Sequence, residues 1–141
     1  KIMRFLAAGP KTLVPHDCHP GNLFWDAQGV PGLLDWQMVR VGEGIGDVAY
    51  FLATALAPEV RRQHEMKLLA HYQDSLAKKG VPAVDTKALY QRYRAHLTYP
   101  FEAMVISQAI GGMMAPESNR LLIQRVAAAV EDHNAFAVVG T

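Results

Sequence analysis

Cysteine is nearly absent from this chain of 141 residues. Cys18 stands alone, so no internal disulfide can form, and the usage agrees with a reducing, cytoplasmic setting. Long apolar runs are missing too. The longest apolar helical region, Met104 to Ala115, is broken by Ser107, Gln108 and two glycines, which suits a buried helix better than a membrane span. Neither sign of charge dominates: the formal net charge is +1, so no general attraction to nucleic acid or acidic lipid is expected. No secretory leader is legible, because Lys1 to Leu6 runs almost at once into Gly9-Pro10. Gly42, Gly44 and Gly46 are not followed by the Lys-Ser/Thr pair of a phosphate-binding loop, and no internal repeat is visible.

What is present is a chain of single-domain size, half apolar, able to bury roughly two thirds of its unfolded surface. Up to about residue 46 it reads as short apolar runs divided by Gly, Pro and Asp. Asn22 to Asp26 and Pro31 to Trp36 read as two strands joined by the turn Asp26-Ala27-Gln28-Gly29. A lone hairpin is not stable in water and must lie on a helical body. From residue 47 the apolar spacing turns helical. Three glycines loosen the chain before Asp47, whose carboxylate is expected to cap a helix through Val48, Phe51, Leu52 and Leu56, ended or interrupted by Pro58. A second helix, from about Glu59 to Lys79, places Leu69, Tyr72 and Leu76 on one face and closes at Gly80. Asp85 caps a third, stopped by Pro100; a fourth runs from Phe101 to Met114. Ser118 caps the last, with Leu122, Val126 and Val130 inward. The fold class expected is mainly α with a small β-hairpin.

The chemistry concentrates in Pro15-His16-Asp17-Cys18-His19-Pro20-Gly21-Asn22, followed by Asp35-Trp36. Asn22 lies five residues beyond Asp17, and Asp35 thirteen beyond Asn22. Those spacings suit phosphoryl transfer: one carboxylate receives the proton of an attacking hydroxyl, while an amide oxygen and a second carboxylate hold metal on nucleotide phosphates. Taken singly, Asp17 and Asn22 suit loop turns and Asp35 a solvated strand end; taken together they favour a site. His16 and His19 invite a zinc reading, but the next histidines, His64 and His71, belong to another helix. His19 is better placed to hydrogen-bond the loop backbone or Asp35. A hydrolase built from Cys18 with a flanking histidine fails because neighbours on a tight loop seldom reach each other. Arg61-Arg62 reads as a solvated face, and Trp25, Trp36, Tyr50 and Phe51 as core or lobe-interface aromatics. His64, His71, His96 and His133 read as surface or satisfied helix histidines.

Residues 13 to 56 resemble the aminoglycoside phosphotransferase and choline-kinase-like branch of the protein-kinase-like superfamily. Its members carry His-Gly-Asp-x-His-x-x-Asn, then Leu-Ile-Asp-Trp, then Gly-Asp-x-Ala. The matching stretches here are Pro15 to Asn22, Leu33-Leu34-Asp35-Trp36, and Gly46-Asp47-Val48-Ala49. The resemblance implies Asp17 as catalytic aspartate, Asn22 and Asp35 as magnesium and nucleotide ligands, and Asp47 as a buried brace, with His16 and His19 supporting the loop. Pro15 stands where the family has histidine, and His16 where it has glycine.

On this resemblance the chain is expected to be the C-terminal lobe of an ATP- and Mg2+-dependent kinase acting on a small-molecule hydroxyl. Residues 13–46 form the catalytic loop and metal-binding hairpin, and 47–141 a helical subdomain. The whole of 1–141 then reads as one lobe, a fragment without the nucleotide-gripping N-terminal lobe, for whose lysine Lys1 and Lys11 are no substitute. As such it is expected to turn over little. Its exposed apolar face is expected to meet the missing lobe or a second copy. A non-catalytic pseudokinase or helical interaction module is the alternative.

Overall fold

The computed structural model describes residues 2–82 and 84–139; Lys1 lies outside them. A short helix, α1 (Ile2–Ala7), leads into strand β1 (Thr12–Val14). Then follow β2 (Leu23–Trp25), β3 (Pro31–Leu33), β4 (Arg40–Gly42), and five helices: α2 (Gly44–Ala55), α3 (Pro58–Lys78), α4 (Thr86–His96), α5 (Thr98–Ile110) and α6 (Pro116–Asp132). The fold is mainly α with small antiparallel strand pairs. β2 and β3 form the expected hairpin, Phe24 opposite Gly32, its turn closed by Asp26 Oδ1 accepting the amides of Gln28 (2.9 Å) and Val30 (2.8 Å). A second pair, β1 with β4, brings Leu13 opposite Val41.

Helix α2 is the axle. Ile45, Ala49, Tyr50, Leu52 and Ala53 are buried, and α4, α5 and α6 pack around it through Tyr93, Leu97, Met104 and Val126. Each fully buried aliphatic side chain, such as Leu97 or Val126, contributes about 1.5–3 kcal/mol. Leu122, Val126 and Val130 face inward as their spacing predicts.

Several boundaries differ from the sequence expectation. Helix α2 begins at Gly44, with Glu43 at its N-cap, so Asp47 lies inside the first turn and is free to face the loop preceding β2. Gly44 and Gly46 do not loosen the chain. They sit inside α2, and a Cβ on Gly46 would stand 2.9 Å from the His96 ring, so the glycine permits that close approach. Pro58 and Pro100 lie in first turns, where no helical N–H is needed, so Pro58 starts α3 and Pro100 does not stop the chain before α5. Helix α5 ends at Ile110 because Gly111 turns to φ +73. Ser118 lies within α6 and caps nothing. Asp85 does cap α4, its Oδ2 accepting the Ala88 amide at 2.8 Å.

Arg61 is not a solvated residue. It is fully buried, donating to Glu65 Oε2 at 2.6 Å and to Asp132, with His133 Nε2 3.0 Å away. Tyr93 donates to the same Glu65 oxygen at 3.1 Å, and Tyr90 meets His133 Nδ1 at 2.9 Å. The cluster ties α3 to α4 and to the end of α6. His133 is the buried, satisfied histidine among those read that way. On another face of α4, Arg92 grips Glu43 and the Phe5 carbonyl, joining α1, the β4–α2 junction and α4. Trp25 and Trp36 are exposed with Phe24, Leu34 and Met38, so they are not core aromatics.

Arg61→Leu leaves Glu65 buried without its cation and is expected to cost about 3–5 kcal/mol in urea unfolding, whereas Arg61→Leu with Glu65→Leu restores most of it. Acid is expected to destabilise the fold in two stages. His16 is pushed down from 6.5 to about 4 by burial, then by the Arg40 cation and the neighbouring His96. Burial alone would raise Glu43, but the Arg92 and His96 contacts outweigh it and hold the carboxyl at about 2 rather than 4.5. Both folded values are depressed, so the unfolded chain binds more protons as pH falls. Stability should therefore drop between pH 6.5 and 4 through His16, and again between 4.5 and 2 through Glu43. Urea midpoints across that range test this, and Arg92→Met should flatten mainly the lower stage.

Candidate functional site

The bend between β1 and β2 cannot be extended or helical throughout, because His16 occupies φ +69. A non-glycine side chain in that region is costly. Here the ring is held by stacking on Tyr99, centroids 4.1 Å apart and planes 16° from parallel. Such a φ is one that glycine adopts without cost.

Helix α2 grips the bend from below. Asp47 Oδ2 accepts the His16 amide at 3.4 Å, and the buried Cys18 thiol lies near the same carboxylate. Burial raises the Asp47 pKa, and these neighbours together with Arg40 offset part of that rise. The Cys18 thiol is pushed up to about 12, first by burial and then by Asp47, so it is no nucleophile. One helical turn beyond Asp47, the Tyr50 hydroxyl donates to Asp17 Oδ1 at 2.9 Å. Burial and the Asp17 charge raise the phenol's pKa, keeping it a donor.

The other Asp17 oxygen faces the chain that follows. Asn22 Nδ2 lies 3.3 Å from Asp17 Oδ2 and donates to the Asp17 carbonyl at 2.9 Å. His19 Nδ1 accepts the Gly21 amide at 3.1 Å, and His19 Nε2 stands 3.8 Å from Asp17 Oδ2. His19 thus holds the loop backbone; among the described residues it makes no bond to Asp35. Asp17, Asn22, His16, His19 and Asp47 are one assembly.

Asp35 joins it less directly. The Leu34 amide donates to the Asn22 carbonyl at 2.7 Å, which seats Asp35 one residue beyond the bond. Asp35 adopts φ +52, is exposed, and takes only long contacts, 3.4 Å each, from the Gln37 amide and side chain. It makes no hydrogen bond to Asp17 or to the Asn22 side chain among the described residues. No three His, Cys, Asp or Glu side chains there form a metal cluster. The donors that remain, Asn22 Oδ1 and the Asp35 carboxylate, are hard oxygens of the kind that suit magnesium and not zinc. Sequence reasoning passed over Tyr50 as a core aromatic; its place three residues after Asp47, on the same helix face, was the available signal.

The arrangement is a half-buried carboxylate with both oxygens oriented, next to an amide oxygen and an exposed second carboxylate. No helix among the described residues is long and apolar enough to cross a membrane. No curated protein and no solved structure gives a significant match to the chain. The family model described as phosphotransferase enzyme family matches residues 2–97, more than half of the length and all of the assembly built around Asp17. The chain belongs to the phosphotransferase enzyme family.

Proposed function

We propose that this chain is the helical lobe of a protein-kinase-like phosphotransferase that transfers the terminal phosphate of ATP to a hydroxyl of a small molecule in the cytoplasm. The observation that carries the reading is the Asp17 carboxylate fixed by Tyr50 and Asn22, while Asn22 Oδ1 has no hydrogen-bond partner among the described residues. Asp17 would accept a hydrogen bond from the acceptor hydroxyl and take its proton late in transfer, so it needs no raised pKa. Asn22 and Asp35 would hold Mg2+ on the nucleotide phosphates. A bound magnesium ion neutralises charge developing on the transferring group. Tyr50 positions Asp17, and Asp47 positions the backbone from which Asp17 hangs.

Among the described residues no lysine is mounted on a strand and no glycine-rich loop covers a phosphate, so the grip on nucleotide would come from a further lobe. The exposed apolar side chains of the hairpin, Phe24, Trp25 and Trp36 among them, offer the face for that lobe or for a second copy. A non-catalytic role as a pseudokinase or interaction module is the second reading. It is favoured by one observation, a histidine held at φ +69 in the catalytic bend.

Activity of the intact protein separates the two, since the 141 residues alone are expected to turn over well below about 1 per second. Asp17→Asn should lower kcat by about 10²–10⁴-fold and leave nucleotide binding in place. Asp35→Asn should abolish magnesium-dependent ATP binding. Wild-type protein that neither binds Mg-ATP nor phosphorylates any hydroxyl compound would make the second reading the better one. Tyr50→Phe removes a donor to a charged partner and is expected to cost about 1.5–3 kcal/mol in urea unfolding. It should lower kcat more than it raises KM.

A further inference from the structure

Between β1, β4, the start of α2 and the α4–α5 corner lies a cavity of about 510 Å3, within the range that takes a small molecule. Its wall is apolar at Leu6, Ala7 and Val14 and polar at His16, Arg40 and Tyr99. Asp17, Asn22 and Asp35 do not line it.

The three polar side chains are assembled around one ring. His16 covers a face of Tyr99, and the Arg40 guanidinium carbon stands 5.9 Å from the Tyr99 centroid. None of the Arg40 guanidinium, the Tyr99 hydroxyl and the His16 ring has a hydrogen-bond or ion-pair partner among the described residues. The charges in the wall are unequal. Glu43 is taken by Arg92, and His96 Nε2 lies 3.4 Å from it without the alignment of a hydrogen bond. Lys11 donates to the Leu6 carbonyl at 3.1 Å. Glu102, exposed on α5, is the one wall carboxylate with no cation beside it. Two cations therefore face one free carboxylate. Burial lowers the His16 pKa most, and Arg40 and His96 lower it further.

We propose that this cavity binds a small molecule through an anionic head, carboxylate or phosphate monoester, that pairs with the Arg40 guanidinium above the His16–Tyr99 stack. The planar guanidinium fork presents paired N–H groups to such a head, and the Tyr99 hydroxyl adds a donor. A cationic head is disfavoured because His16 already covers one face of Tyr99 and Arg40 stands beside the ring. The site uses none of the three residues assigned to phosphoryl transfer, so it stands or falls independently of that assignment.

The test is an NMR titration of the isotope-labelled chain at pH 7 and constant ionic strength, following the His16 and Tyr99 ring resonances. Inorganic phosphate and acetate are the probes, with choline as the cationic control. Saturable shifts with phosphate, acetate or both are expected, without change at the exposed His64 and His71 rings. Whichever anion binds more tightly identifies the head group. Arg40→Gln, at an exposed position that should not disturb folding, is expected to weaken binding about tenfold or more. Glu102→Gln is expected to tighten it. The proposal is overturned if neither anion saturates, if choline gives the same response, if Arg40→Gln binds as wild type does, or if Glu102→Gln weakens binding.

Discussion

The carboxylate of Asp47 is the constraint on which the polar part of this molecule depends. It comes from the first turn of a buried helix and accepts an amide of the bend between β1 and β2. Without that acceptor, the His16 amide would face a protein interior with no partner, and the bend would have little reason to keep a left-handed residue. Because the bend is held, Asp17 reaches Tyr50 and Asn22 reaches back to Asp17. The hairpin then follows from the Asn22 carbonyl. A local backbone cost at His16 is thus offset by contacts made on three sides of it.

The other half of the molecule is held by a different balance. The Arg61 cluster buries several ionisable groups where an apolar core would have served. Such clusters are poor sources of net stability, but a missing member leaves a charge stranded, so they punish misassembly. Its members come from α3, α4 and α6, which gives three amphipathic helices one mutual register. Glu43 and Arg92 act in the same way where α1, β4 and α4 meet. Tyr90 and Tyr93 meet the Arg61 cluster from one face of α4, and Arg92 meets Glu43 from another.

Much of the fold was legible in the sequence wherever a signal was local. The Asp26–Gly29 turn, the Asp85 cap and the inward face of Leu122, Val126 and Val130 follow from spacing and side-chain chemistry within one or two turns of chain. What escaped was non-local or positional. β1 and β4 are three residues each and pair across an intervening hairpin, so neither carries a readable period. Pro58 and Pro100 look like stops until the helix start is known, since proline in a first turn loses nothing. Arg61 reads as solvated until Glu65, Asp132 and His133 are brought around it. In the candidate site, the approach of Asn22 to Asp17 was accessible because it lies within one loop. The Tyr50 contact carried only its spacing from Asp47 as a signal, because it depends on which face α2 turns to the bend.

That face has a mechanical consequence. Asp47 and Tyr50 are three residues apart on one helix, so the anchor points of the bend and of its carboxylate are separated by an axial rise of ~4.5 Å. A distance ruled by backbone hydrogen bonds inside a rigid rod does not stretch when surrounding helices shift. Displacement or tilting of α2 would therefore carry both anchor points as a single jig, and the aim of Asp17 relative to its own loop would be among the last dimensions of the molecule to drift.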